Sequence, residues 1–141
     1  MAECLKQAGE KLITDGTDNH LVMWDVRPHE LSGSKVDKVL DCMHITCNKN
    51  SVVGDRSAVT PGGVRLGTPA MTTRGMKEPE MARIVEFLVK AVAIAKRIQS
   101  TAGKKLVEFN PAAEADAEVA ALREEVHAFA SQYPMPGVAS V

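Results

Sequence analysis

Gly62-Gly63-Val64-Arg65-Leu66-Gly67-Thr68-Pro69-Ala70-Met71-Thr72-Thr73-Arg74-Gly75 is the stretch around which the rest of the chain is ordered. A strand over 64–66 places Val64 and Leu66 on one face and Arg65 on the other. Gly63 and Gly67 bring no side chains, which predicts open space beside the guanidinium. A planar, permanently charged fork suits a carboxylate or phosphate held by two parallel hydrogen bonds. An edge-strand arginine in water, or in a structural ion pair, has the same local pattern, and the pattern alone does not separate the two.

Upstream, residues 1–9 read as the end of a helix, with Leu5 and Ala8 on its apolar side and Gly9 as its stop. Lys11-Leu12-Ile13-Thr14 reads as a short strand. The turn cluster Asp15-Gly16-Thr17-Asp18-Asn19-His20 separates it from a second strand, Leu21-Val22-Met23-Trp24-Asp25-Val26. These two strands suggest an antiparallel pair. Ser32-Gly33-Ser34 opens a helix over 35–41, whose Val36, Val39 and Leu40 form a core-facing stripe. His44-Ile45-Thr46-Cys47 has β-prone residues and predicts another strand. A loop from 48 to 61 follows, long enough to suggest a function.

Downstream, Glu78, Pro79 and Glu80 suit the first turn of a helix predicted over 78–101. Met81, Ile84, Val85, Leu88, Val92, Ala95 and Ile98 make its apolar stripe, and Glu86 and Lys90 have ion-pair spacing. Gly103-Lys104-Lys105 ends it. Asn110-Pro111 predicts the start of a last helix, 112–131, with His127 off its apolar face. The tail Tyr133-Pro134-Met135-Pro136-Gly137 carries apolar groups and is expected to dock. Strands mixed with helices in this order describe a small α+β sandwich, an antiparallel or mixed sheet covered by helices.

The totals narrow the function classes. The chain has 141 residues, 45% of them hydrophobic, enough for one compact domain with a core of its own. A net charge of −1, from 17 basic and 18 acidic side chains, gives no reason to expect nucleic acid or an anionic membrane as partner. Aromatics at 4% do not supply a base-stacking platform. No apolar run approaches the ~20 residues that span a bilayer, and Met1-Ala2-Glu3-Cys4-Leu5-Lys6 does not resemble a signal peptide. Cys4, Cys42 and Cys47 are odd in number and widely spaced, which fits reduced thiols in a cytoplasmic setting. His20, His29, His44 and His127 have no ligand spacing, so no metal site is expected. No catalytic triad or dyad emerges from spacing. Lys49 could be imagined forming a Schiff base, but nothing beside it in sequence supplies desolvation, and a solvated loop lysine is the simpler reading. Asn48 and Asn50 offer amides suited to a heterocycle edge, or to capping a turn.

Taken together, Thr17-Asp18-Asn19-His20-Leu21, Cys47-Asn48-Lys49-Asn50-Ser51, Gly54-Asp55-Arg56-Ser57 and Gly63-Val64-Arg65-Leu66-Gly67-Thr68-Pro69-Ala70 with Thr73-Arg74-Gly75 closely resemble serine hydroxymethyltransferase. The motifs occur in that family's order and spacing, and the similarity runs from residue 1 to the Tyr133–Gly137 tail. The resemblance covers only the C-terminal third of such an enzyme. It implies the small domain, here 1–141, of a fold-type-I pyridoxal phosphate enzyme that interconverts serine plus tetrahydrofolate with glycine plus 5,10-methylenetetrahydrofolate. Arg65 then corresponds to the arginine that grips the carboxylate of L-serine or glycine. Asn50 corresponds to the residue that hydrogen-bonds the folate pterin. Thr68, Pro69 and Arg74 are expected as supports. The resemblance places the cofactor lysine in an absent large domain, which leaves this polypeptide inactive alone and assigns it no catalytic residue. It also implies a homodimeric or homotetrameric parent. Val53 stands where the family often has proline, which should loosen the loop after Asn50. Gly62 stands where it often has serine, which should make the approach to Arg65 more flexible. A stand-alone binding or regulatory module of the same fold, or a related fold-type-I enzyme, are the rivals; exposed apolar surface would favour a domain separated from its enzyme over the module.

Overall fold

The computed structural model describes residues 1–57 and 59–137. Four strands, β1 (Lys11–Leu12), β2 (Leu21–Asp25), β3 (Asn48–Asn50) and β4 (Gly63–Gly67), form one sheet in the order β1-β2-β4-β3 with every pairing antiparallel. Among the described residues there are six α-helices: α1 (Ala2–Gln7), α2 (Gly33–Cys42), α3 (Pro69–Thr73), α4 (Glu78–Ala102), α5 (Leu106–Glu114) and α6 (Ala117–Ala130). This is the expected α+β sandwich, with an antiparallel sheet. None of the helices is long and apolar enough to cross a membrane.

One sheet face is buried. Val22 and Trp24 of β2 and Val64 and Leu66 of β4 turn toward α2 and α4, and Val36, Val39, Leu40, Leu88 and Val92 pack back on them. Trp24 has no exposed surface, and its indole N–H donates to Glu10 Oε2 at 2.8 Å; the same oxygen lies 2.7 Å from His29 Nε2. A buried indole with this partner leaves no unsatisfied donor in the core. Lys35 of α2 is also buried; it donates to Gln99 Oε1, and its ammonium sits 5.5 Å from the centre of the Phe109 ring.

The helix ends have chemical causes. Gly9, at φ 83°, stops α1, with Gly9 N–H on Lys6 O and Glu10 N–H on Leu5 O. Glu80 accepts from the Lys77 N–H at 2.7 Å to start α4, and Gly103, at φ 107°, ends it. Glu86 pairs with Arg83 and Lys90 with Glu125, in place of the expected Glu86–Lys90 pair.

Three expectations are corrected. The strand predicted at 44–47 falls instead on Asn48–Asn50, because His44 turns left-handed (φ 61°) at the end of α2 and Ile45 N–H is spent on Leu40 O. Pro111 lies inside α5 and does not open a helix. The break comes five residues later, where Asp116 caps α6 by accepting from Glu118 and Val119 N–H and is gripped by Arg97 at 2.8 Å through both carboxylate oxygens. β1 is also shorter than predicted, ending at Leu12.

The loop between β3 and β4 is held by an ion network. Asp25, buried at the end of β2, is gripped by Arg27 through Nε–Oδ1 at 2.8 Å and Nη2–Oδ2 at 3.0 Å, with Lys11 Nζ 3.2 Å from Oδ2. Burial pushes the Asp25 carboxyl up, but the hydrogen bonds from Arg27 and Lys11 and the Arg27 charge outweigh it and hold the group below the usual range. A depressed pKa stabilises the fold above the ordinary aspartate value, about 3.9, and that stabilisation disappears as pH falls through the lower folded-state value. Asp25→Asn should therefore lower the urea midpoint at pH 7 and lie much closer to wild type at about pH 2; urea melts at the two pH values check this. A second contact is steric. A Cβ at Gly33 would lie 2.2 Å from Gly63 O, where the start of α2 meets β4, so Gly33→Ala should cost about 1–3 kcal/mol by chemical denaturation.

Candidate functional site

Arg65 is the middle residue of β4, opposite Met23 of β2 and Asn48 of β3. Since Val64 and Leu66 take the core face, Arg65, Met23 and Asn48 share the face that the helices leave uncovered. Asn50 is two residues along β3, opposite Gly63, which puts it diagonally across from Arg65 at roughly 7–8 Å between Cα positions. The two candidate ligand residues therefore lie on one face. Lys49, between the asparagines, pairs with Val64 and lies on the other face, exposed.

The guanidinium of Arg65 is exposed and makes one hydrogen bond among the described residues, Nη2 to Asn48 Oδ1 at 3.0 Å. One amide oxygen orients the fork and leaves Nε and Nη1 free for a planar anion. Arg65 borders a groove of about 350 Å³ with His20, Leu21, Asn48 and Gly67. Asn48, read from the sequence only as an amide for a heterocycle edge or a turn cap, is placed by the strand register opposite Arg65. The Asn50 amide donates to Ser51 O at 2.8 Å.

The glycines act differently from expectation on one side. At Gly67 a Cβ would meet nothing closer than 3.8 Å, so that flank is open. At Gly63 it would lie 2.5 Å from Val52 Cγ1, so Val52 already fills the other flank. Gly62 is no flexible hinge: it is buried, and a Cβ there would lie 2.5 Å from both Arg27 Cδ and Asp55 Oδ1. Val53 does not loosen the loop either, because its carbonyl accepts from Arg27 Nη1 at 3.0 Å.

The neighbouring motifs brace this face. Thr17 Oγ1 donates to Leu21 O at 2.6 Å, and Asn19 Oδ1 accepts from Leu21 N–H at 3.0 Å, a self-wired turn that sets His20 at the rim. The His20 carbonyl accepts from Thr68 N–H at 3.3 Å, and Thr68 with Pro69 starts α3. Arg74 points away from the groove. It donates to Ala130 O at 2.6 Å, Tyr133 O at 3.0 Å and Pro134 O at 3.2 Å, closing the end of α6 and docking the tail.

Cys47, on the groove wall, is not a nucleophile. Burial, reinforced by the Asp37 carboxylate 3.5 Å from Sγ, pushes its thiol up to about 12. Cys47 should react with iodoacetamide at pH 8 far more slowly than a free cysteine, at least roughly a hundredfold given its suppressed thiolate fraction, as peptide mass mapping of the folded chain would show.

A model of the serine hydroxymethyltransferase family matches residues 1–88. Serine hydroxymethyltransferase 4 of Arabidopsis thaliana is 47% identical over 94% of this chain and 28% of its own length. The cytosolic serine hydroxymethyltransferase of Aspergillus fumigatus is 46% identical over 93% of this chain and 29% of its own. The chloroplastic serine hydroxymethyltransferase 3 of A. thaliana is 44% identical over 98% and 27%. The chain thus spans less than a third of the length of the curated relatives it matches, and its Arg65 face lies within the matched residues. By its sequence, this chain belongs to the serine hydroxymethyltransferase family.

Proposed function

We propose that this chain is the C-terminal small domain of a serine hydroxymethyltransferase, residues 1–141, which supplies one wall of the site for serine and tetrahydrofolate. The observation that carries the reading is the register that sets Arg65, Asn48 and Asn50 on one open sheet face. Arg65 takes the carboxylate of L-serine or glycine through the free side of its fork, and Asn48 keeps the fork in plane. Asn50 hydrogen-bonds the edge of the folate pterin. The two ligands then lie side by side, as transfer of a one-carbon unit between them requires.

The family's pyridoxal phosphate would supply the electron sink for this chemistry. The residues present here do not fit that group. Lys11 is committed to Asp25, Lys35 to Gln99, and Lys49 lies on the sheet face opposite Arg65. In line with the family resemblance, we assign the cofactor lysine and phosphate cup to a large domain and read this polypeptide as inactive alone. The parent is read as a homodimer or homotetramer. We place it in the cytosol, in line with three free thiols and the cytosolic relative.

In the complete enzyme, Arg65→Ala removes a charge-assisted bidentate partner and should lower serine kcat/KM by at least roughly a hundredfold. Steady-state kinetics with saturating tetrahydrofolate measures it, and a near-normal value would sink the assignment. Arg65→Lys, which keeps the charge without the fork, should recover only a small part of the loss.

A further inference from the structure

Arg27 reaches the β3–β4 loop from outside the site and meets it at several points. Its Nη1 donates to Val53 O at 3.0 Å and approaches Asp55 Oδ1 at 3.4 Å, while Nε and Nη2 are locked on Asp25. Asp55 in turn accepts from Val52 N–H and Gly62 N–H, both at 2.9 Å, and so ties the two ends of the loop together. The side chain of Arg27 runs along a channel that only glycine leaves free: a Cβ at Gly62 would lie 2.5 Å from Arg27 Cδ, and one at Gly54 would lie 3.3 Å from Nη1. The anchor is in line with the site, because Asp25, Gly63 and Asn50 are direct partners across three adjacent strands.

The consequence runs through Ser51. The Asn50 amide donates to Ser51 O, so the direction of that carbonyl sets the direction of the amide. Ser51 sits between β3 and Val52, whose N–H Asp55 holds, and Val53, whose carbonyl Arg27 holds. Arg65, by contrast, is oriented by Asn48 inside the β3–β4 ladder, with no contact to this loop network among the described residues.

We infer that Arg27 is a positioning residue for the pterin half of the site: through Asp55 and the Val53 carbonyl it fixes the loop that aims Asn50, while the carboxylate half at Arg65 is aimed separately. This rests on the function proposed above. The two halves should come apart in a variant that weakens the clamp and leaves the ladder intact. Arg27→Lys keeps the charge but loses the fork that spans Asp25 and the loop. A misaimed hydrogen-bonding group weakens recognition steeply.

In the complete enzyme, Arg27→Lys should raise the KM for tetrahydrofolate roughly ten- to hundredfold, with the Kd for glycine, titrated spectroscopically without folate, within about twofold of wild type. Asp55→Asn should give the same split. Equal weakening of glycine and folate would mean general loosening and would overturn the inference, as would an unchanged folate KM. A second measurement is independent of turnover. By amide hydrogen exchange on the 141-residue chain, which has its own core, Arg27→Lys should lose protection at Val52 and Gly62 and keep it in the β2–β4 ladder. Unchanged protection at Val52 and Gly62 overturns the clamp whatever the enzyme does. Loss of protection there in the variant, together with a wild-type enzyme that lacks serine hydroxymethyltransferase activity, would instead refute the functional reading and leave the clamp standing.

Discussion

Everything at the site depends on β4 keeping its register between two partners. Val64 is fully buried and Leu66 nearly so, and each contributes about 1.5–3 kcal/mol by leaving water. A slip of one residue would expose both and drive the Arg65 guanidinium into the core, where an unpaired charge costs several kcal/mol more. The hydrophobic effect, acting on two aliphatic neighbours, therefore determines which way the arginine faces. Asn48 and Asn50 inherit the same constraint through their pairing with Arg65 and Gly63.

Arg65 contrasts with three other arginines of the fold. Arg27, Arg74 and Arg97 have their forks filled by carboxylates or main-chain carbonyls, and each joins segments distant in sequence or ends of elements. Arg65 has one neutral partner and an open side. A guanidinium held in plane by an amide retains most of its attraction for an anion, because the amide carries no charge to neutralise it. That contrast is a physical reason to assign Arg65 to a ligand and the other three to the frame.

The sheet parity at 64–66, the buried stripe of α4 and the pairing of β1 with β2 were legible, because each follows from hydrophobic period and turn chemistry over several residues. The position of β3 was not. His44-Ile45-Thr46-Cys47 has the better β propensity, yet the polar Asn48–Asn50 segment forms the strand; it is an edge, paired on one side only, where main-chain hydrogen bonds count for more than side-chain burial. Pro111 looked like a helix start and proved internal, since Asp116 was the stronger cap. The reach of Arg27 to the β3–β4 loop carried no local signal, because Val53 and Asp55 lie 26 and 28 residues away. Arg65 as an anion fork and Asn48 and Asn50 as amides were legible from the residues, their specific ligands only through family resemblance; that Asn48 faces Arg65 needed the fold.

The docking of the tail on Arg74 has a mechanical side. Arg74 follows α3, which follows directly on the strand that bears Arg65, and its guanidinium holds the last carbonyls of α6 and those of the tail. The aromatic rings of Phe87, Phe129 and Tyr133 meet in series alongside, edge-on and tilted, at 5.7 and 5.5 Å between centres. The segment after β4 is thus tied through Arg74 to the end of α6 and to residues 133 and 134. The molecule's single tyrosine, whose carbonyl accepts from Arg74, is therefore a built-in optical reporter of that junction.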